Sequence, residues 1–349
     1  MTKIRTNISR RSAASRGLAT SSGLTSLMEK EYESIHPGPP PKTELAGRWV
    51  LDDGGLGLRI FMAEKRQEYI KNQSIIKNPS IINPQGDGSK PCCLCRSSSG
   101  IVYENQLLIR PDPFPMYQYH MQIIPLISEL ARDQFNCTPE NRYKKGWVDV
   151  NLIDCRRHPT FEDLKSEMSL VKNSDYLIMQ SMEGSGASVP NHIHSHAFKK
   201  DIMKFPLLSK DRVEKDRAEI FNDGRSTIHR LPWPSYGFVF RAEEPIVAYL
   251  VNRLREKYGA PFNFLESQDQ KGIFGVYVPR CMEVPSNPLF KDWQFGVTEV
   301  LGLFEAKTRD QFDRLTARML IDAVKEVTIQ DPDQQKGIEQ FLLSVVRGL

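Results

Sequence analysis

Three histidines at alternating positions are the part of this sequence best suited to chemistry. His192, His194 and His196 lie two residues apart in the segment GASVPNHIHSHAF. Residues at this spacing on a β-strand point to one face, so we expect the three imidazoles to lie side by side. A hydrophobic core would not tolerate such a polar group. The histidines therefore indicate a functional site.

A turn of small residues precedes the histidines. It consists of Gly184, Ser185, Gly186, Ala187 and Ser188. Glycine allows backbone N–H groups to approach an anion closely, and the serine hydroxyls can donate to phosphate oxygens. Turn and histidines together predict a site for a phosphorylated ligand. Two alternatives stay open, namely a surface strand with solvated histidines and a zinc site that uses all three imidazoles.

A second candidate for chemistry is the cysteine pair in KPCCLCR. Cys92 and Cys95 have C-x-x-C spacing, which places two thiolates on one turn and supplies half of a tetrahedral zinc site. Redox motifs share this spacing. The sequence has no second C-x-x-C, so histidine or carboxylate would have to supply the other two zinc ligands.

Composition limits the class of protein. The 349 residues are 40% hydrophobic and 26% charged, with a formal net charge of +4. No apolar run approaches the roughly 20 residues of a membrane span, so we expect no membrane role. The small net charge, without basic clusters, argues against nucleic acid and suits an anionic small molecule. Six scattered or crowded cysteines do not form a disulfide framework, which favours a cytoplasmic location.

The N-terminal residues 1–23 differ in composition from the rest. The first 28 residues contain five Lys or Arg, six serines and no acid. This composition is typical of an organelle transit peptide, and it is equally that of a flexible basic arm. Both interpretations stay open.

Hydrophobic periodicity and turn residues predict the elements that must position the site. Strands are predicted at 57–62, 102–110, 118–126, 176–182 and 192–198, with further strands in the C-terminal half. Helices are predicted at 24–35, 161–171, 245–258, 300–304, 309–327 and 334–346. Because strands and helices do not alternate regularly, the fold class is α+β, with antiparallel sheet flanked by helices.

With these motifs in place, the segment GSGASVPNHIHSHAF resembles the active-site strand of the histidine triad superfamily. It is most similar to the branch that contains galactose-1-phosphate uridylyltransferase, GDP-L-galactose phosphorylase and the dinucleoside polyphosphate phosphorylases. The resemblance implies a catalytic half at 24–210 and a degenerate second copy at 211–349 that completes the substrate cleft. It implies that His194 is the covalent nucleophile, with His196 as a second catalytic residue that stabilises charge on the phosphoryl oxygens.

The third histidine departs from the branch, which usually has glutamine where this chain has His196. Both side chains can donate a hydrogen bond to a phosphoryl oxygen. Histidine at this position is typical of the hydrolase branches, and some phosphorylases have it too. The acceptor, whether inorganic phosphate, a sugar phosphate or water, therefore stays open.

The resemblance also implies a structural zinc site. Its ligands would be Cys92, Cys95, His120 and His192. His158 and His36 are the alternatives for the fourth ligand. Such a closed site would orient the histidine strand and would not activate water.

The nucleotide pocket is implied by RPDPFPMYQYH. Asp112 matches a position that accepts hydrogen bonds from ribose hydroxyls, Phe114 would stack on the base, and Arg110 would reach phosphate. The turn residues Ser185, Gly186 and Ser188, together with Asn191, complete the predicted substrate-binding set. A plain proline-rich turn capped by Asp112 is the alternative. In the C-terminal half, Asn263 and Arg280 are candidates for contact with sugar or phosphate, or for core packing.

These features predict a nucleotidyltransferase of phosphorylase type. Its substrate would be a nucleoside diphosphate sugar or a dinucleoside polyphosphate, and its intermediate a nucleotidyl-histidine. The alternatives are a nucleotide hydrolase of the same superfamily and a non-catalytic, zinc-stabilised nucleotide-binding protein. Both a monomer and a homodimer are compatible with the sequence.

Overall fold

The computed structural model describes most of the chain. The described residues are 21–36, 48–51, 57–62, 100–104, 106–112, 116–126, 159–182, 184–187, 193–203, 205–208, 218–231, 234–259, 261–291 and 293–349.

The described residues form strands and helices along the whole length of the chain, and the helices flank the sheets. The strands are β1 (Arg48–Leu51), β2 (Gly57–Met62), β3 (Ile101–Tyr103), β4 (Leu107–Pro111), β5 (Met121–Pro125), β6 (Tyr176–Ser181), β7 (Ser195–Lys199), β8 (Glu219–Asn222), β9 (Thr227–Arg230), β10 (Phe238–Arg241), β11 (Phe262–Asp269), β12 (Gly272–Pro279) and β13 (Leu303–Ala306). The helices are α1 (Ser21–Ile35), α2 (Phe161–Lys172), α3 (Glu244–Tyr258), α4 (Val297–Val300), α5 (Arg309–Arg314), α6 (Ala317–Val327) and α7 (Pro332–Val346). Within the described part of the chain, no helix has the length and apolar character that crossing a membrane requires.

Ten of these strands form one sheet in the order β3-β4-β5-β7-β6-β11-β12-β10-β9-β8. Every neighbouring pair in it is antiparallel. The second sheet is β1-β2-β13, in which β2 and β13 run parallel. The prediction of an α+β fold with antiparallel sheet flanked by helices is confirmed. In the large sheet β3–β7 and β8–β12 occupy separate halves that meet at β6 and β11, while the division of the chain at residue 210 stays a prediction.

The predicted single strand at 102–110 is wrong in one respect, because the structure has a hairpin of β3 and β4 there. Glu104 has φ +47° and turns the chain between the two strands. Non-glycine residues seldom adopt this conformation, and the sequence carries no glycine or proline that would signal the turn.

The helix predicted at 300–304 is also wrong. The structure has the short helix α4, which ends at Val300, and then strand β13, which begins at Leu303. Gly302 between them has φ +90°, a conformation that ends a helix and that glycine adopts easily. The predicted helix at 309–327 is divided into α5 and α6, because Leu315 is extended and the Thr316 side chain caps the second helix.

Strand β7 separates two buried regions. Phe198 packs in the cluster that contains Leu177, Met179 and much of the C-terminal part of the chain. Ala197 packs on the opposite face, in the cluster that contains Ile178. Because side chains alternate along a strand, His196 shares the face of Phe198, whereas Ser195 points the other way, toward α2.

A buried carboxyl pair lies behind β7. Ser195 Oγ donates to Glu167 Oε1 at 2.7 Å, and Gln180 Nε2 donates to Glu167 Oε2 at 2.5 Å. Glu266 on β11 is buried, and neither of its carboxyl oxygens has a hydrogen-bond partner among the described residues. Burial raises the pKa of Glu167 to about 8. Burial, and then the nearby Glu167, raise the pKa of Glu266 well above its ordinary value.

Glu266→Gln is expected to make the free energy of unfolding less dependent on pH. The folded carboxyl keeps its proton over a pH range in which the unfolded carboxyl loses it, so wild-type stability falls as pH rises above about 5. The slope is at most about 1.4 kcal/mol per pH unit for each such group. Because the amide of the variant does not ionise, its free energy of unfolding falls less with rising pH. The variant is therefore more stable than wild type at about pH 8.

Urea unfolding at several values between about pH 5 and about pH 8 measures the effect. The control is Glu256→Gln, which removes an exposed carboxyl on α3 and leaves the slope unchanged. The same slope in Glu266→Gln and wild type would show that Glu266 ionises normally in the folded protein.

Candidate active site

A cavity of about 200 Å³ lies beside the histidines on the Phe198 face of β7. Residues from both parts of the chain line it. From the N-terminal part they are Met116, Met179, Ser181, Gly186, Ala187, His194, His196 and Phe198. From the C-terminal part they are Trp293, Gln294, Gly296, Val297, Thr298, Glu299, Glu305 and Lys307.

His194 and His196 form one wall of the cavity. His194 directly precedes β7 and is buried, and its ring centroid lies 4.9 Å from that of His196 at an interplanar angle of 76°. The side chain of His196 is 25% exposed, so this ring is the more accessible of the two. The structure thus brings two of the three sequence-predicted histidines to one cavity, and His192 lies outside the described residues.

The turn before the histidines approaches the C-terminal part of the chain closely. Gly186 has φ +85°, and a Cβ atom built on it would lie 2.1 Å from the backbone oxygen of Phe295. Its N–H donates to Glu283 Oε1 at 3.2 Å. A carboxylate therefore accepts from one of the amides that the sequence assigns to phosphate, and only glycine fits at this position.

Ser185 is used inside the turn. Its Oγ atom lies 2.7 Å from the backbone oxygens of both Met182 and Phe262, so its one proton is donated to either of them, and the residue is fully buried. In this geometry the hydroxyl holds the turn on β11 and does not face the cavity, in contrast to the phosphate contact predicted for it. Ser188, predicted for the same role, lies outside the described residues.

Asn263 and Arg280 support the turn from below. Asn263 Nδ2 donates to the backbone oxygen of Ser185 at 2.8 Å. The Arg280 guanidinium donates to Asn263 Oδ1 and to the backbone oxygen of Phe295. Arg280 is buried, and burial lowers its pKa to about 10, so the side chain remains a cation at neutral pH. Of the two roles open for this pair, the structure shows packing beneath the turn.

Arg110 lies two strands away from His196 in a row across the sheet. Arg110 on β4 is opposite Gln122 on β5, and Gln122 is opposite His196 on β7. Arg110 Nε and Nη2 both donate to Gln122 Oε1, at 3.0 and 2.8 Å. The guanidinium predicted to reach phosphate thus binds the amide next to the histidine, and its residue is buried.

Asp112, His120 and His196 form a cluster that the sequence did not predict. The His120 Nε2 atom lies 2.8 Å from His196 Nδ1, and Asp112 Oδ2 lies 3.5 and 3.4 Å from these two atoms. Asp112 and His120 are both buried. Asp112, predicted to bind ribose, therefore places its carboxylate against two imidazoles. The alternation of residues along β4, β5 and β7 is the signal from which this cluster could have been found.

The other predicted ligand-binding and metal-binding residues lie outside the described residues. They are Cys92, Cys95, Phe114, Ser188, Asn191 and His192, together with the alternative zinc ligand His158. His36, the other alternative, has its Nε2 atom 3.1 Å from the backbone oxygen of Asp112.

His120 is the described member of the predicted zinc set, and it does not fit a zinc ion. Its Nδ1 atom accepts a hydrogen bond from the Met116 N–H at 3.1 Å, and its Nε2 atom contacts His196 Nδ1. Both nitrogens are thus in use. A site formed by Cys92, Cys95 and His192, with His158 as the fourth ligand in place of His120, stays a proposal.

Sequence reasoning missed the opposite wall of the cavity. Lys307 follows β13, and Glu299 lies in α4, where its Oε2 atom accepts from the Gly296 N–H at 2.8 Å. Burial raises the pKa of Glu299 above its ordinary value. Single residues of common type at irregular spacing form no motif, so no sequence pattern indicated them.

Gly186→Ala is expected to destabilise the protein by about 2 kcal/mol or more, because the methyl group combines a strained φ with a clash against the Phe295 backbone. Gly224→Ala is the matched control. Gly224 also has positive φ, at +83°, but nothing lies within 4 Å of the added Cβ. Urea unfolding of both variants compares them, and equal losses would show that the close approach to Phe295 contributes nothing.

No protein-family model matches the sequence, and no curated protein matches it. Solved structures do resemble the chain. Yeast Ap4A phosphorylase Apa2 in complex with Ap4A has a TM-score of 0.53 at 14% sequence identity, covering 88% of this chain and 97% of that one. Yeast Apa2 in a second crystal structure has a TM-score of 0.52 at 14% identity, covering 88% and 94%. A DUF4931 family protein of Bacillus cereus has a TM-score of 0.39 at 12% identity, covering 70% and 99%.

The likeness to Apa2 extends over most of both chains, and it agrees with the branch that the histidine segment resembles. At this level of identity it establishes the fold. The chain has the α+β fold of yeast Ap4A phosphorylase.

Proposed function

We propose that this protein is a nucleotidyltransferase of phosphorylase type that works through a nucleotidyl group on His194. The observation that carries the proposal is the position of His194. It lies in the wall of a half-open cavity that Gly186 and His196 also line, and residues of the C-terminal part line the same cavity. A nucleophile in such a position attacks a phosphorus atom that the opposite wall holds in place.

In the first step the neutral His194 imidazole attacks the α-phosphorus of the substrate. A P–N bond forms while the bond from phosphorus to the leaving phosphate oxygen breaks, and the leaving group takes the bonding electrons. His196 and backbone amides near Ala187 stabilise the charge on the other phosphoryl oxygens. Arg280, buried behind the turn as a cation, contributes a favourable field for the anion.

In the second step an acceptor oxygen attacks the same phosphorus atom and the P–N bond breaks. With inorganic phosphate as acceptor, the product is a nucleoside diphosphate and free His194. The opposite wall carries Lys307 together with Glu299 and Glu305. Phosphate is placed before water as the proposed acceptor because the fold is that of yeast Ap4A phosphorylase.

The substrate class is supported by the fold. Apa2 is named as an Ap4A phosphorylase and was crystallised with Ap4A. We therefore place a dinucleoside polyphosphate first among the proposed substrates and a nucleoside diphosphate sugar second. Hydrolysis is the second candidate function, favoured by histidine at position 196 in place of glutamine.

His194→Ala is expected to abolish formation of the covalent intermediate. Wild-type protein, mixed with Ap4A in the absence of phosphate and quenched within seconds, should gain the mass of one nucleotidyl group. The variant should gain none, because no other described histidine occupies its position in the cavity. His229→Ala, which changes a histidine on β9, is the control and should be labelled like wild type.

Intact-protein mass spectrometry detects the adduct, and the products formed with and without phosphate then separate phosphorylase from hydrolase. The wild-type protein could instead bind Ap4A and form no adduct with Ap4A or with any of a panel of nucleoside diphosphate sugars. That result would identify it as a nucleotide-binding protein without covalent chemistry.

We further propose that Cys92, Cys95 and His192 hold a structural zinc ion, with His158 as the fourth ligand in place of His120. Cys92→Ser should lose zinc and stability, since a closed zinc site contributes directly to folding. His194→Ala should keep its zinc. Metal analysis of the purified variants tests this, and loss of zinc from His194→Ala would instead favour a module in which the histidine strand itself binds the metal.

A further inference from the structure

The cluster of Asp112, His120 and His196 has two chemical interpretations. One carboxylate oxygen and two imidazole nitrogens lie close together here, buried or half-buried. Such atoms either bind a metal ion or form a chain of hydrogen bonds. The distances between them are 2.8, 3.4 and 3.5 Å. The position of one proton, that of His120, decides between the two.

His120 has its tautomer fixed by the backbone. The Met116 N–H donates to His120 Nδ1 at 3.1 Å. An amide N–H can only donate, so Nδ1 must offer a lone pair. A neutral His120 therefore carries its proton on Nε2, the atom that faces His196 and Asp112.

That proton fixes the tautomer of His196 in turn. His120 Nε2 is 2.8 Å from His196 Nδ1, a normal distance for a hydrogen bond. Because the His120 nitrogen is the donor, His196 Nδ1 is the acceptor and has no proton. The neutral His196 ring therefore carries its proton on Nε2, the ring nitrogen that remains for a ligand in the cavity.

A metal ion in the cluster is incompatible with this arrangement. A metal would need the lone pair of His120 Nε2, and then Nδ1 would carry a proton that meets the Met116 N–H. The spacing points the same way. Two nitrogens on a tetrahedral zinc with bonds of about 2.0–2.1 Å lie roughly 3.4 Å apart, whereas these two lie 2.8 Å apart.

We infer that Asp112 and His120 are positioning residues that make His196 a hydrogen-bond donor toward the cavity. Phosphoryl oxygens accept hydrogen bonds, so a His196 Nε2 lone pair would repel them, whereas an N–H stabilises them. The Asp112 carboxylate lies beside the shared proton and stabilises the chain electrostatically. The tautomer rests on the geometry alone, and its catalytic consequence rests on the proposed nucleotidyl transfer.

The tautomer is tested without turnover by nuclear magnetic resonance of protein labelled with ¹⁵N in its seven histidines. At about pH 8 the expected result is a coupling across the hydrogen bond between a protonated His120 Nε2 and an unprotonated His196 Nδ1. His196→Gln and His120→Leu each assign one ring. Absence of the coupling, or a proton on His196 Nδ1, would overturn the inference.

The catalytic role is tested by a double-mutant cycle. His120→Leu is expected to lower kcat for nucleotidyl transfer about 10- to 100-fold with little change in KM, since the donor acts on the transition state. His120→Gln should retain activity within about threefold, because an amide N–H can replace the ring N–H. In the His196→Gln background His120→Leu should cost less than about threefold, because a glutamine amide presents an N–H whatever residue lies behind it.

A merely structural role of His120 predicts the same loss in both backgrounds, and that outcome overturns the inference. So does loss of one bound metal ion from His120→Leu. If the coupling is present but no nucleotidyl adduct forms on His194, the proposed function fails and the tautomer assignment stands. If the adduct forms, the coupling is absent, and His120→Leu lowers kcat by the same factor in the wild-type and His196→Gln backgrounds, the inference fails and the proposed function stands.

Discussion

Everything in the candidate site depends on the register of strand β7. Hydrogen bonding to β5 places His196 opposite Gln122, and hydrogen bonding to β6 places it opposite Met179. A slip of one residue would turn His196 toward α2 and expose Ser195 to the cavity. Pairing on both sides, and the bond from Ser195 to Glu167 on the rear face, oppose such a slip. The orientation of the histidines is thus a property of the whole sheet.

The C-terminal part of the chain determines how enclosed the site is. It supplies one wall of the cavity, and it also fixes the turn on the other side through Asn263 and Arg280. Four backbone oxygens and one amide oxygen accept hydrogen bonds from the buried guanidinium, and among the described residues no carboxylate is hydrogen-bonded to it. Glu299 and Glu283 lie close enough to favour its charged form electrostatically.

The fold class could be predicted from the sequence because it depends on local patterns, and the same kind of pattern predicted that His194 and His196 lie side by side, as they do in the structure. The alternating histidines, the turn of small residues and the strand at 57–62 are each formed by residues that are neighbours in the sequence. The Asp112–His120–His196 cluster was not predicted, since it needs three strands in a defined register. The contact of the Ser185 hydroxyl with the Phe262 backbone oxygen could not be predicted for the same reason, because the two residues are distant in sequence. Lys307 and Glu299 reach the cavity only through long-range packing.

The parallel pairing of β2 with β13 bears on how the protein acquires its site. Leu303 pairs with Arg59, so more than two thirds of the chain lies between the two paired residues. Closing so large a loop has a high entropic cost and gains few contacts until both sheets exist, which makes this pairing a late event in folding. Glu305 and Lys307, at the end of β13, enter the cavity wall in that same event. During synthesis the histidine strand can therefore form while the cavity is still open, and enclosure follows only after the last strand has left the ribosome.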